Sequence, residues 1–123
     1  MSKAIEAFTV ASHFEGKAPV VFQIYKQLLK ALRQFGPVVE EPKKTSIHLV
    51  NATAAAGVAT RKEHLILTLK SDRSLISPRI HKTEQASAKR FHHQVKLSSP
   101  AEVDDELAGW LKEAYALSAQ KSA

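Results

Sequence analysis

Cysteine is absent from the chain, which excludes disulfides, thiolate nucleophiles and cysteine-based metal sites. Glycine is nearly as scarce. Gly16, Gly36, Gly57 and Gly109 stand alone, so no phosphate-cradling loop of the Walker or dinucleotide-binding kind is written. No serine occupies a Gly-x-Ser-x-Gly elbow. No apolar run approaches the roughly 18 residues of a membrane-spanning helix. Glu6 breaks the apolar stretch near the N-terminus, so a secretory signal is not expected either. Together these absences lead us to expect a cytoplasmic chain with no membrane contact.

Metal-ligand spacing is also missing. There is no His-x-His pair and no His-x-x-x-His pair, and the adjacent His92 and His93 would point to opposite faces of a strand. His48, His64, His81 and His92 could meet only if strand register brought them together. The carboxylates fall where local structure accounts for them: Glu40 and Glu41 read as part of a turn after Gly36-Pro37, and Asp104 and Asp105 as helix-capping charge. We therefore expect no metal, no cofactor and no catalytic residue, which weighs against an enzyme.

What is present is enough for one core. With 123 residues, 44% of them hydrophobic, the chain reads as a single domain over residues 1–123, with its core at about residues 4–118 and a frayed C-terminus. Ile5 and Phe8 suggest a short opening helix from Ala4 to Phe14. From Pro19 to Phe35, Val21, Tyr25, Leu28, Leu32 and Phe35 form one stripe, entered at Pro19 and stopped by Gly36-Pro37.

The period then changes to two. Ile47 and Leu49, Leu65, Leu67 and Leu69, and Phe91, His93, Val95 and Leu97 each mark a strand with one buried face. Residues 52–60 add a further strand, with Gly57 as a bulge or a close approach. Pro78 confines any strand in residues 72–88 to a sheet edge. Ser99-Pro100-Ala101-Glu102 has the form of a capping box that opens a C-terminal helix, whose inward stripe includes Leu107, Trp110, Leu111 and Ala114. The expectation is an α+β fold: an antiparallel sheet of about four to five strands with N-terminal and C-terminal helices packed on one face.

The net charge of +6 is unevenly placed. Residues 61–96 hold nine basic and three acidic residues, whereas residues 97–123 hold two basic and five acidic. If the leucines and His93 face the helices, Lys70, Arg90, His92, Gln94 and Lys96 face the other way, with His64 at the margin. Such a face also follows from solubility alone, since lysine on exposed strands blocks unwanted pairing. The functional expectation is a non-catalytic binding or interaction module for an anionic partner, either nucleic acid or a phosphorylated or carboxylate ligand. Its expected contacts are Arg61, Lys62, Arg79, Lys89, Arg90, His92 and Lys96. A second reading, of another class, is a small-molecule enzyme or ligand sensor with an Arg/His-lined pocket using Arg79, Arg90 and a histidine. Homodimerisation through a sheet edge is a third.

Several separated motifs occur in order: Glu41-Pro42-Lys43-Lys44-Thr45-Ser46-Ile47-His48-Leu49, Arg61-Lys62, Ser77-Pro78-Arg79-Ile80, Arg90-Phe91-His92-His93, and Val103-Asp104-Asp105-Glu106-Leu107 with Trp110-Leu111 and Ala114-Tyr115. Together they resemble an uncharacterised bacterial family, domain of unknown function 5655, from about residue 14 to residue 118. The resemblance implies one compact module and brings no active site with it. Where members of that family tend to carry an aromatic before Ala-Gly-Val, this chain reads Ala54-Ala55-Ala56-Gly57-Val58.

Overall fold

The computed structural model describes residues 8–119. Helix α1, Pro19–Arg33, has Pro19 at its first turn, where a missing N–H costs nothing. It buries Val21, Ile24, Tyr25, Leu28 and Leu32. The chain then turns through Gly36, at φ 151°, a region that favours glycine. Six strands follow: β1 (Val39–Pro42), β2 (Ile47–Val50), β3 (Ala54–Thr60), β4 (Leu65–Ser71), β5 (Ile80–Ser87) and β6 (Arg90–Leu97). Helix α2, Asp105–Ser118, closes the domain.

The sheet is antiparallel, in the order β1-β2-β3-β4-β6-β5. Its register aligns Leu49 with Ala56, Ala56 with Leu69 and Leu69 with His93, and likewise Ile47, Val58, Leu67 and Val95. These alternate residues share one core with Leu28 and Leu32 of α1 and Leu107, Leu111 and Ala114 of α2. Leu65, Leu67 and Leu69 of the central strand are 0% exposed. Each contributes about 1.5–3 kcal/mol by leaving water.

Six strands stand where four to five were expected; β1 is the unforeseen one, and β5 lies at the sheet edge to which Pro78 confined it. Glu40 and Glu41 lie in β1, not in a turn. Glu40 is fixed there by the Tyr25 hydroxyl, which donates to Oε2 at 2.5 Å, and Arg33 Nη2 donates to the Val38 carbonyl at 3.1 Å. β5 begins two residues after Pro78 and is exposed along almost its whole length. With no apolar alternation to mark it, only its backbone pairing with β6 makes it a strand.

Three other local expectations change. The irregularity of the β2–β3 pair falls between Leu49 and Val50, while Gly57 pairs regularly with His48 and Thr68. The Ser99 capping box is present, yet it caps only a 3-10 turn, Pro100–Glu102. Val103 breaks away, and Asp104 caps α2 by accepting from the Leu107 N–H at 3.1 Å. Of the expected opening helix, residues 4–7 lie outside the described residues. The described part is a 3-10 turn, Ala11–Phe14.

Candidate functional site

The residues of the sheet that do not join the core line up on its second face. Because paired residues share a face, the register places His48, Gly57, Thr68, Gln94 and Lys82 in one row across five strands. Lys70, His92 and Glu84 form the next row, and Ala59, Ile66 and Lys96 the row on the other side.

β3 contributes only Ala55, Gly57 and Ala59 to this face, while its neighbours carry longer side chains. The result is a depression of about 280 Å³ above β3, bounded by His48, Thr68, Lys70 and His92. Its floor is apolar, and its polar groups stand at the rim. Lys70 Nζ donates to Thr53 Oγ1 at 3.2 Å, in the turn between β2 and β3. Burial, together with the nearby charge of Arg90, lowers the Lys70 pKa from its ordinary value of 10.5. Arg90 Nη1 is buried with no hydrogen-bond partner among the described residues. The ion pairs among the described residues are made by Arg33, Lys43, Arg73 and Arg79, and none involves Lys70, Lys82, Arg90 or Lys96.

The seven residues expected to bind an anion are not brought to one place. Arg90 and His92 lie at the Lys70 end of the face, with Lys89 exposed in the adjoining turn between β5 and β6. Lys96 lies at the other end of β6, about 20 Å away at the usual rise per residue. It shares that end with the turn between β3 and β4, where Arg61 Nη1 donates to the Thr60 carbonyl at 3.1 Å. Lys62 is tied into the same turn through its carbonyl, which accepts from the Ala18 N–H at 2.8 Å. His64 is here too, and burial and the charges of Lys96 and Arg61 lower its pKa.

Arg79 belongs to neither end. Its Nη1 meets Asp104 Oδ1 at 2.8 Å and Glu106 Oε1 at 3.2 Å, and its Nη2 donates to the Glu102 carbonyl. Its guanidinium lies 5.9 Å from the Trp110 ring centroid. These contacts use its donors to hold the start of α2, so Arg79 joins no pocket with Arg90.

His93 is fully buried on the core side, as its place in the alternation required. Its Nδ1 pairs with Thr83 Oγ1 at 2.9 Å, and the Leu75 N–H donates to its Nε2 at 3.3 Å. Of the four histidines that register could have gathered, only His48 and His92 border the depression. No group of three metal-ligating side chains occurs among the described residues. Nor is any helix among them long and apolar enough to cross a membrane.

His48 and Lys70 were missing from the expected contacts. Their signal was present: Ala55, Gly57 and Ala59 have one parity, so a strand there leaves a bare line down one face. What the sequence did not supply was which strands flank it. No curated protein and no solved structure is similar to this chain at a significant level. The family model described as a domain of unknown function, DUF5655, matches residues 10–118. That match takes in both helices and every strand of the sheet, and the chain belongs to this family.

Proposed function

We propose that this domain is a non-catalytic binding module in which the helices cover one face of the sheet and the other face receives an anionic partner. Lys70, Lys82, Arg90 and Lys96 supply the positive charge, and His92 stands among them. The absence of cysteine suits work in a reducing cytoplasm. The observation that carries the reading is the set of cations on this face with no carboxylate paired to them among the described residues. Elsewhere Arg33, Arg73 and Arg79 pair with carboxylates, whereas Arg61 and the described lysines other than Lys43 do not, so the reading rests on the gathering of these cations on one face. Unpaired like charges repel, and a bound anion relieves both that repulsion and the orphaned Arg90 Nη1.

Fluorescence anisotropy with a labelled duplex, as a polyanion probe, tests the electrostatic part. If four phosphates are neutralised, log K falls against log[salt] with a slope of about −3.6. Arg90→Gln and Lys96→Gln should each reduce that slope by about 1. An absence of binding at low salt, both by the duplex and by small carboxylates and phosphate, would end the proposal.

The alternative of a ligand sensor is favoured by a separate feature, the depression above β3. Its polar rim is Ser46, His48, Thr68, Lys70 and His92, in place of the expected arginine pair.

A further inference from the structure

We infer that the depression above β3 is a binding site for a small carboxylate with a flat apolar body, an aromatic carboxylate being the simplest case. The inference rests on the anion-binding reading above and assigns it a ligand class and a location. The body would lie on Ala55, Gly57 and Ala59, and the carboxylate would meet Lys70 at the rim, next to His92.

Three observations point the same way. First, glycine is not needed at 57 for the fold. Its backbone is regularly paired, and an added Cβ would meet Thr68 Cβ at 3.9 Å and His48 Cδ2 at 4.0 Å, both ordinary contacts. A glycine in a strand interior costs stability relative to alanine, so here the open space itself is what the residue provides. Second, the space has the shape of a slot. Its floor is one strand wide and its walls stand on β2 and β4, about 10 Å apart at normal strand spacing. A ring laid flat on the strand fills such a space, whereas a branched or globular body does not. Third, the donors are few. Backbone N–H groups of β3 and β4 are used within the sheet, which leaves the rim side chains Ser46, His48, Thr68, Lys70 and His92, with Lys70 the one lysine or arginine among the lining residues. One lysine over an apolar floor, with the charge of Arg90 nearby, suits one carboxylate better than a polyphosphate, which needs a ring of donors.

The test uses 2-naphthoate with the full chain, read by amide chemical shifts. Its roughly 13 non-hydrogen atoms, at about 0.3 kcal/mol each, correspond to a Kd of about 1 mM. Shift changes should centre on His48, Ala55 to Ala59, Lys70 and His92. Gly57→Ala should keep the dispersed spectrum and keep or raise the melting temperature while weakening naphthoate about tenfold or more. Lys70→Met should weaken naphthoate similarly but leave the neutral 2-naphthalenemethanol little changed. This second variant decides the matter if Gly57→Ala disturbs the fold. Binding that both variants leave intact places the ligand elsewhere and overturns the inference. If the duplex binds but naphthoate does not, the inference fails while the broader anion-binding reading survives. If neither binds, and acetate and inorganic phosphate also fail, both are wrong.

Discussion

Arg79→Met isolates the clamp that joins the segment before β5 to the start of α2. Methionine keeps a flexible stem against Trp110 and removes the guanidinium. Asp104 and Glu106 are about half exposed, at 50% and 51%, so solvent screening reduces each ion pair to about 0.2–1 kcal/mol. Loss of the donor to the Glu102 carbonyl adds about 1 kcal/mol, and loss of the cation over Trp110 about 0.5 kcal/mol. The expected destabilisation is about 2 kcal/mol, or about 6–12 °C in melting temperature for a chain of this size.

Circular dichroism melts of both proteins, at low and high salt and over a pH series, give the readout. At 1 M salt the Debye length is about 3 Å, so the gap should shrink to about half. The hydrogen bond from Arg79, followed by that from the Leu107 N–H, lowers the Asp104 pKa from its ordinary 3.8. A carboxyl with a depressed folded pKa stabilises above its unfolded value and loses that contribution as pH falls through the folded one. The gap should therefore be full at neutral pH and narrow below pH of about 4. A melting temperature within about 1 °C of the parent at neutral pH and low salt would refute the clamp, since the smallest sum of these contributions exceeds that shift.

Two further substitutions probe other joints. Gly36→Ala forces a side chain into φ 151° and drives its Cβ into the Tyr115 hydroxyl, which donates to the Pro37 carbonyl at 2.9 Å. Urea unfolding should show a loss of about 2 kcal/mol or more, and unchanged stability would contradict the geometry. His93→Phe leaves the Leu75 N–H and Thr83 Oγ1 without their imidazole partner, at an expected cost of about 2–3 kcal/mol. Hydrogen exchange should quicken first at Leu75; if Leu75 exchanges as in the parent, the histidine is not its anchor.

What could be read in advance was whatever burial writes as a period. α1 is marked by Val21, Tyr25, Leu28 and Leu32, and the middle strands by Leu65, Leu67, Leu69, Val95 and Leu97, because each buries one alternate or helical set. β1 escaped, and β5 was marked only as a candidate edge by Pro78, because an edge strand is held by backbone hydrogen bonds, which any side chain permits. For the candidate site, alternation correctly separated Arg90, His92 and Lys96 from His93. It could not show that Arg79 reaches Asp104, 25 positions away, because side-chain pairing across that interval depends on tertiary structure. Nor could it place His48 beside Gly57 and Lys70 beside His92 before the order of strands was known.

The small residues of β3 lie between two strands that both hydrogen-bond to it, in the middle of the sheet. Little there can yield: neither wall is a loop, and the floor has no rotamers to freeze. An occupant would arrive at a surface already in its final shape, giving up mainly its own tumbling and few protein degrees of freedom. Structures with and without it should superimpose along β2, β3 and β4, so any signal sent onward must come from the occupant's charge or exposed edge, not from a moving backbone.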